Sequence, residues 1–171
     1  MERNALSALA SILRELGIRW VLIGALAANR YRTSPRLTQD VDLLLAGVGA
    51  GLDRLERAAH AAGWEVQRAS PEGELLRLRH PELGIADLLI AGTEYQQEAI
   101  RRARHEPAGN GETVPVLAVE DVIVHKLIAG RTQDLADLEA ILSARVPVDE
   151  GYVERWATFW EVLDRWQALR R

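Results

Sequence analysis

The stretch Ile85-Ala86-Asp87-Leu88-Leu89-Ile90 limits the fold more than any other part of the chain. Apolar residues stand on both faces of a strand here, so the segment needs cover on both sides and belongs in the centre of a sheet. One carboxylate, Asp87, interrupts it. A charge in so apolar a strand is costly unless it is paired or binds a metal. Two readings stand side by side: an ion pair with Arg77 or Arg79 on a neighbouring strand, or a place in a metal site.

The segments around it supply the rest of the sheet and its cover. Residues 18–23 and 39–45 are rich in β-formers and read as buried strands, and 114–117 as a short one. Residues 64–68 and 74–79 alternate apolar and charged side chains, as in a hairpin with one wet face that turns at 70–73. Apolar residues at helical spacing predict helices over 4–16, with Asn4 as N-cap, and over 51–62, with Gly63 as its stop. Gly24 opens a short alanine-rich helix that ends near Arg30. Further helices are expected over 94–104, 119–129, 133–143 and 150–169, and loops over 32–36 and 105–113. In the last helix Val153, Trp156, Trp160, Leu163 and Gln167 share a face, where tryptophans serve a core better than a base-stacking platform. The expectation is one α+β domain over 1–171. Residues 1–118 form its sheet-containing core with a mixed β-sheet flanked by helices, and 119–171 a helical C-terminal segment.

Composition excludes several classes. The chain has 171 residues, enough to bury one core, and a formal net charge of −4, which gives no overall attraction to nucleic acid or anionic lipid. It has no cysteine, so disulfides, thiolate metal sites and cysteine nucleophiles are absent. The longest apolar run, 20–28, is too short to span a bilayer, and the N-terminal segment reads as an amphipathic helix rather than a signal peptide. The expected location is the cytoplasm, with no membrane partner. His60, His80, His105 and His125 lack the spacing of a zinc site, and no Walker A loop, G-x-G-x-x-G or G-x-S-x-G occurs.

The remaining polar residues carry the chemistry. Asp40 and Asp42 are two apart on a strand, so they face the same way about 6.6 Å apart, a spacing at which two carboxylates can share hard divalent cations. The alternative is a solvated strand face. Gly24 sits at a strand-to-helix turn, where a missing side chain lets backbone N–H groups approach a phosphate, or simply makes a tight turn. Lys126 can reach a triphosphate as a point charge, or only complement a helix C-terminus. Asp134 and Asp137, three apart, share one helix face. Arg30, Arg32 and Arg36 precede the D-x-D strand, and Arg101, Arg102 and Arg104 end a predicted helix. Together they would form a basic rim for a polyanion, or else pair with surface carboxylates.

Taken together, a glycine after the first strand, D-x-D on the second and a carboxylate on a later strand resemble the polymerase-beta-type nucleotidyltransferase superfamily. Gly24-Ala25 with Arg36-x-Thr38-x-Asp40-Val41-Asp42-Leu43 resembles the first motif of its AbiEii-type, toxin-like subgroup. Glu120-Asp121-x-x-x-x-Lys126-Leu127-x-Ala129-Gly130-Arg131-x-x-Asp134-Leu135-x-Asp137-Leu138 resembles the later one. The resemblance covers roughly residues 5–143. It implies a nucleotidyltransferase-like fold, with Asp40, Asp42 and Asp87 as metal ligands and catalytic carboxylates for Mg2+ or Mn2+. Gly24, Ala25, Arg36, Thr38, Lys126 and Asp134 would border the nucleoside triphosphate. Where the superfamily usually carries glycine or a small polar residue after the first glycine, this chain has Ala25, which keeps the N–H and lacks a hydroxyl.

The implied reaction is attack of a hydroxyl on the α-phosphate with loss of pyrophosphate. The acceptor is either RNA, as for the toxin of a toxin–antitoxin pair with its antitoxin as partner, or a small hydroxylated molecule such as an antibiotic. A non-catalytic member that binds a nucleotide or a protein partner is the competing reading.

Overall fold

A computed structural model describes residues 4–70, 73–109 and 112–170. Seven strands among them, β1 (Arg19–Leu22), β2 (Val41–Ala46), β3 (Glu65–Arg68), β4 (Leu75–His80), β5 (Gly84–Ile90), β6 (Arg104–Gly109) and β7 (Glu112–Val116), form one sheet. Its order is β3-β4-β5-β2-β1-β7-β6. The β2–β5 and β1–β7 pairs are parallel and the other four are antiparallel, which makes the sheet mixed. Eight helices flank it: α1 (Ala5–Glu15), α2 (Gly24–Ala28), α3 (Leu52–Ala61), α4 (Glu94–Arg101), α5 (Val119–Ala129), α6 (Thr132–Ser143), α7 (Glu150–Phe159) and α8 (Leu163–Leu169). This is the α+β architecture expected, with a helical C-terminal third.

Local chemistry sets the boundaries. Asn4 caps α1 through a reciprocal box: its Oδ1 accepts from the Ser7 N–H at 2.9 Å while Ser7 Oγ accepts from the Asn4 N–H at 3.2 Å. Thr93 and Gln96 do the same for α4. The middle of the sheet is β2, where Leu43, Leu44 and Leu45 are fully buried. β5 lies beside it, and its two faces differ: Ala86 and Leu88 are fully buried, whereas Ile85 is 36% exposed and Asp87 and Leu89 are half-buried. β5 is an interior strand as expected, but its two faces are covered unequally. The Asp87 face is the more open one.

Three boundaries depart from the periodicity. Residues 105–113 were expected to form a loop, but 104–109 form the edge strand β6, antiparallel to β7 with a register irregularity between Pro107 and Gly109. Proline is tolerated there because an edge strand need not donate every N–H to a ladder. The helix expected over 94–104 accordingly stops at Arg101. The helix expected over 150–169 breaks into α7 and α8. Glu161 adopts φ +56°, and its N–H bonds to Thr158 O at 3.1 Å while the Val162 N–H bonds to Ala157 O at 2.8 Å. Those two bonds are a Schellman stop, here built without the glycine that usually announces it. The break lets Trp166, 1% exposed, enter the core, while Gln167 faces solvent. The hairpin of β3 and β4 forms as expected. The expected turn residues Pro71 and Glu72, and residues 110–111 of the expected loop, lie outside the described residues.

α5 is buried nearly all round, polar residues included. Arg102 Nη2 donates to Glu120 Oε2 at 2.8 Å and its Nε to Asp121 Oδ2 at 3.1 Å, while the Tyr152 hydroxyl donates to Asp121 Oδ1 at 2.7 Å. This polar seam fastens α7 and the end of α4 to α5. No helix among the described residues is long and apolar enough to cross a membrane.

Candidate active site

Strand register brings the first two candidate carboxylates together. Asp42 on β2 stands directly opposite Asp87 on the parallel neighbour β5, so both side chains leave the same face of the sheet. Asp40 precedes β2 by one residue and is exposed at its entrance. Beside Asp42, a backbone bond from the Ile23 N–H to Asp42 O at 2.9 Å fixes the end of β1 and the start of α2. Gly24 follows with φ +66°, and a β-carbon there would overlap the Asp42 carboxylate. The position requires glycine on both counts. α2 has only five residues, so Gly24 contributes room rather than a helix dipole. Ala25 is buried behind it.

A cavity of about 180 Å³ opens at this junction, lined by Gly24, Asp42, His125, Lys126, Arg131 and Asp134 with an apolar wall from Ile23, Leu117, Val122 and Ala129. Its polar side is a ladder of alternating charge. Lys126 Nζ lies 2.8 Å from Asp134 Oδ1 and 2.7 Å from Asp137 Oδ2. Asp134 also accepts from Arg131 Nε at 2.7 Å, and Asp137 from Arg36 Nε at 3.0 Å and from Arg32. Burial opposes charge on both aspartates, but the bonds from Arg131 and Lys126 to Asp134, and from Arg36 and Lys126 to Asp137, hold both carboxyls below the usual range. Lys126 is therefore neutralised inside the protein, its side chain 6% exposed, while Arg131 reaches out at 77% exposure. Asn29 clasps the Arg36 backbone on both sides, accepting from its N–H at 3.0 Å and donating to its carbonyl at 2.8 Å. Thr38 lies half-buried on the same loop.

Asp42 is treated differently. Among the described residues it has no ion-pair partner. Burial first, then the nearby Asp87 and Asp40, push its carboxyl up to about 6, against a smaller pull from Arg131 and Lys126. A half-buried carboxylate crowded by two others and lacking a paired cation is a donor set suited to a hard divalent ion. The set is not preassembled. Among the described residues no three carboxylate or imidazole groups stand close enough to hold a metal, and Asp87 accepts from Arg77 through both oxygens, at 2.8 and 2.7 Å. The ion pair with Arg77, one of the two readings of Asp87, is thus present.

Of the six arginines expected in a basic rim, four have carboxylate partners: Arg32 and Arg36 on Asp137, Arg101 on Glu98, and Arg102 on Glu120 and Asp121. None of the six lines the cavity. Sequence reasoning missed three residues here. Arg131 could have been found as the basic residue three before Asp134 in the same motif. Asp137 was assigned a shared face with Asp134 but no partner. His125 carried no signal, and its Nε2 is shut off from solvent without a hydrogen-bond partner, so desolvation lowers its pKa to about 4.

A family model described as a nucleotidyl transferase of unknown function, DUF2204, matches residues 2–155. The chain belongs to this family. The DUF2204 match spans the whole sheet and ends within α7. No curated protein sequence is detectably similar. Solved structures share the fold at low identity. The lincosamide antibiotic adenylyltransferase LnuA, solved with lincomycin bound, is 12% identical with a TM-score of 0.59, over 81% of this chain and 95% of that one. The antibiotic-resistance factor ANT(2'')-Ia, in solution, is 18% identical with a TM-score of 0.60, over 96% and 92%. A crystal structure of ANT(2")-Ia in complex with adenylyl-2"-tobramycin is 17% identical with a TM-score of 0.59, over 91% and 94%. These likenesses establish the nucleotidyltransferase fold for this DUF2204 member.

Proposed function

We propose that this chain transfers a nucleoside monophosphate from a nucleoside triphosphate to a hydroxyl of a small molecule, using a divalent cation held on Asp40, Asp42 and Asp87. The observation that carries the reading is Asp42: a carboxylate set opposite Asp87 by strand register, short of a cation, at the mouth of the Gly24 cavity. When bound, magnesium or manganese would neutralise charge on the entering and leaving oxygens. The chain's own residues do the rest. Gly24 leaves room for the Asp42 carboxylate at the edge of the cavity. Arg131 offers the phosphates the exposed outer edge of its guanidinium, held in place by Asp134. Lys126, held between Asp134 and Asp137, ties α6, and through Asp137 also Arg36 and the loop bearing Thr38, to α5. Ala25 keeps the α2 backbone packed under the site. Asp87 takes the proton as the acceptor oxygen bonds to the α-phosphorus, the bridging P–O bond breaks and pyrophosphate leaves.

Three observations favour a small acceptor over RNA. Most of the arginines expected in a basic rim are spent on carboxylates, and the net charge is −4. The structural neighbours named above include a lincosamide adenylyltransferase and a protein solved with an adenylylated tobramycin. The AbiEii-type reading, with an RNA acceptor and an antitoxin partner, rests on the two sequence motifs. Nucleoside triphosphates and magnesium belong to the cytoplasm, and we assign the protein there.

The test incubates the protein with Mg2+ or Mn2+ and each labelled nucleoside triphosphate, with total RNA or with a low-molecular-mass extract. Label in a small molecule, lost in the Asp42→Asn variant, supports the proposal. Label in RNA would favour the toxin reading. No transfer, with nucleotide still bound, would mark a binding member without chemistry.

A further inference from the structure

The carboxylates read above as the metal set have a fourth, cationic neighbour. On the sheet, Arg77 of β4 is the cross-strand partner of Asp87, which is the partner of Asp42, so the three side chains form one row across three strands. Arg77 closes on Asp87 as a two-toothed fork, Nε to Oδ1 at 2.8 Å and Nη2 to Oδ2 at 2.7 Å. A fork of that kind uses the carboxylate edge that a cation would use. Arg79, two residues on, points to the same side of β4 but is paired in register with Ile85 and has no carboxylate partner among the described residues. The distinction between the two arginines is one of register, not of charge.

We infer that Arg77 is a built-in counter-cation that occupies Asp87 and competes with the divalent ion for it, so that Arg77 sets the metal affinity of the site. Arg77 is a positioning residue in this scheme. The inference rests on reading Asp40, Asp42 and Asp87 as the metal-binding set. The exposure of the pair and the crowding of the carboxylates support it. The Arg77 side chain is 42% exposed and that of Asp87 24%, which leaves the guanidinium free to swing into water when Asp87 turns toward Asp42. An ion pair this exposed is weak enough to exchange. Without Arg77, three neighbouring carboxylates would repel one another, Asp42 most of all because it is already crowded.

The test is a titration of free Mn2+ by electron paramagnetic resonance, without nucleotide, on the wild type and on single variants. Arg77→Gln is expected to bind Mn2+ about two- to fivefold tighter, which is the size of an exposed ion pair removed from the competition. Arg77→Lys, which keeps the charge but loses the fork, should fall between the two. Arg79→Gln should match the wild type. Adding Asp87→Asn to Arg77→Gln should abolish the gain. A folded Arg77→Gln variant with unchanged or weaker Mn2+ binding would overturn the inference, as would an equal gain from Arg79→Gln, which would mark the effect as general charge. Wild-type protein whose Mn2+ binding is absent or insensitive to Asp42→Asn would overturn the metal reading itself, and this inference with it.

Discussion

Gly24 and Asp42 share one small volume. The Ile23–Asp42 backbone bond fixes the two chains side by side, and the Asp42 carboxylate fills the space where a side chain on residue 24 would stand. The glycine motif and the D-x-D motif, separated by a loop in sequence, are thus a single steric unit.

The Gly24→Ala variant should therefore fail twice. It would strain a left-handed backbone, at a cost of about 1–3 kcal/mol, and push the Asp42 carboxylate off its place. Denaturant unfolding should show the first loss. The second should appear as the disappearance of any rise in melting temperature with magnesium and nucleoside triphosphate. A variant that keeps the full ligand-induced shift would separate Gly24 from the nucleotide site.

Lys126 and Arg131 should behave oppositely although both are cations lining one cavity. Lys126→Met leaves Asp134 and Asp137 buried with one fewer cation, a change worth about 3–5 kcal/mol of stability. Arg131→Gln alters an exposed side chain and should cost under about 1 kcal/mol. In binding titrations, Arg131→Gln should nonetheless weaken a triphosphate more than the corresponding monophosphate. Equal weakening of both would remove Arg131 from the terminal phosphates.

Two groups near the cavity oppose each other in acid. His125 titrates near 4 in the folded chain against an ordinary value of 6.5, because burial disfavours its charge. Its folded pKa is depressed, so the unfolded state takes the proton first, and stability falls between pH 6.5 and 4 by up to about 3 kcal/mol. Asp42 is shifted up, from 3.8 to about 6, so the folded state takes its proton first and stability rises over the same interval. The His125→Phe variant should become relatively more stable in acid, and the Asp42→Asn variant relatively less. Urea midpoints measured at about pH 7 and about pH 5, on either side of the onset of both titrations, decide both signs. Parallel curves for wild type and His125→Phe would mean that the imidazole is not desolvated.

What the sequence made legible follows from the range of the interactions. The helix over 4–16 and the β3–β4 hairpin are governed by near neighbours: the Asn4–Ser7 box and the period-two alternation of 74–79. β6 was missed because Pro107 and Gly109 are turn residues in isolation and become an edge strand only by pairing with β7. The stop at Glu161 was missed because a non-glycine residue holds the left-handed turn, a choice imposed by burial of Trp166. At the site, the carboxylates and Lys126 could be named from motif spacing. The Arg77–Asp87 pair could be offered as one of two readings, because a hairpin places 74–79 beside the Asp87 strand, but the choice of Arg77 over Arg79 waits on the register, and Arg36 meets Asp137 only through the helix pack.

Asp137 shows where this matters for reading variant effects. It does not line the cavity, yet three cations depend on it, two of them about a hundred positions upstream. In a mutational scan scored only by product formed, Asp137 would rank with the aspartates proposed to hold the metal and be mistaken for one of them. Protein abundance measured alongside turnover would tell them apart. Substituting Asp42 should leave a folded, silent protein, whereas substituting Asp137 should deplete the protein itself.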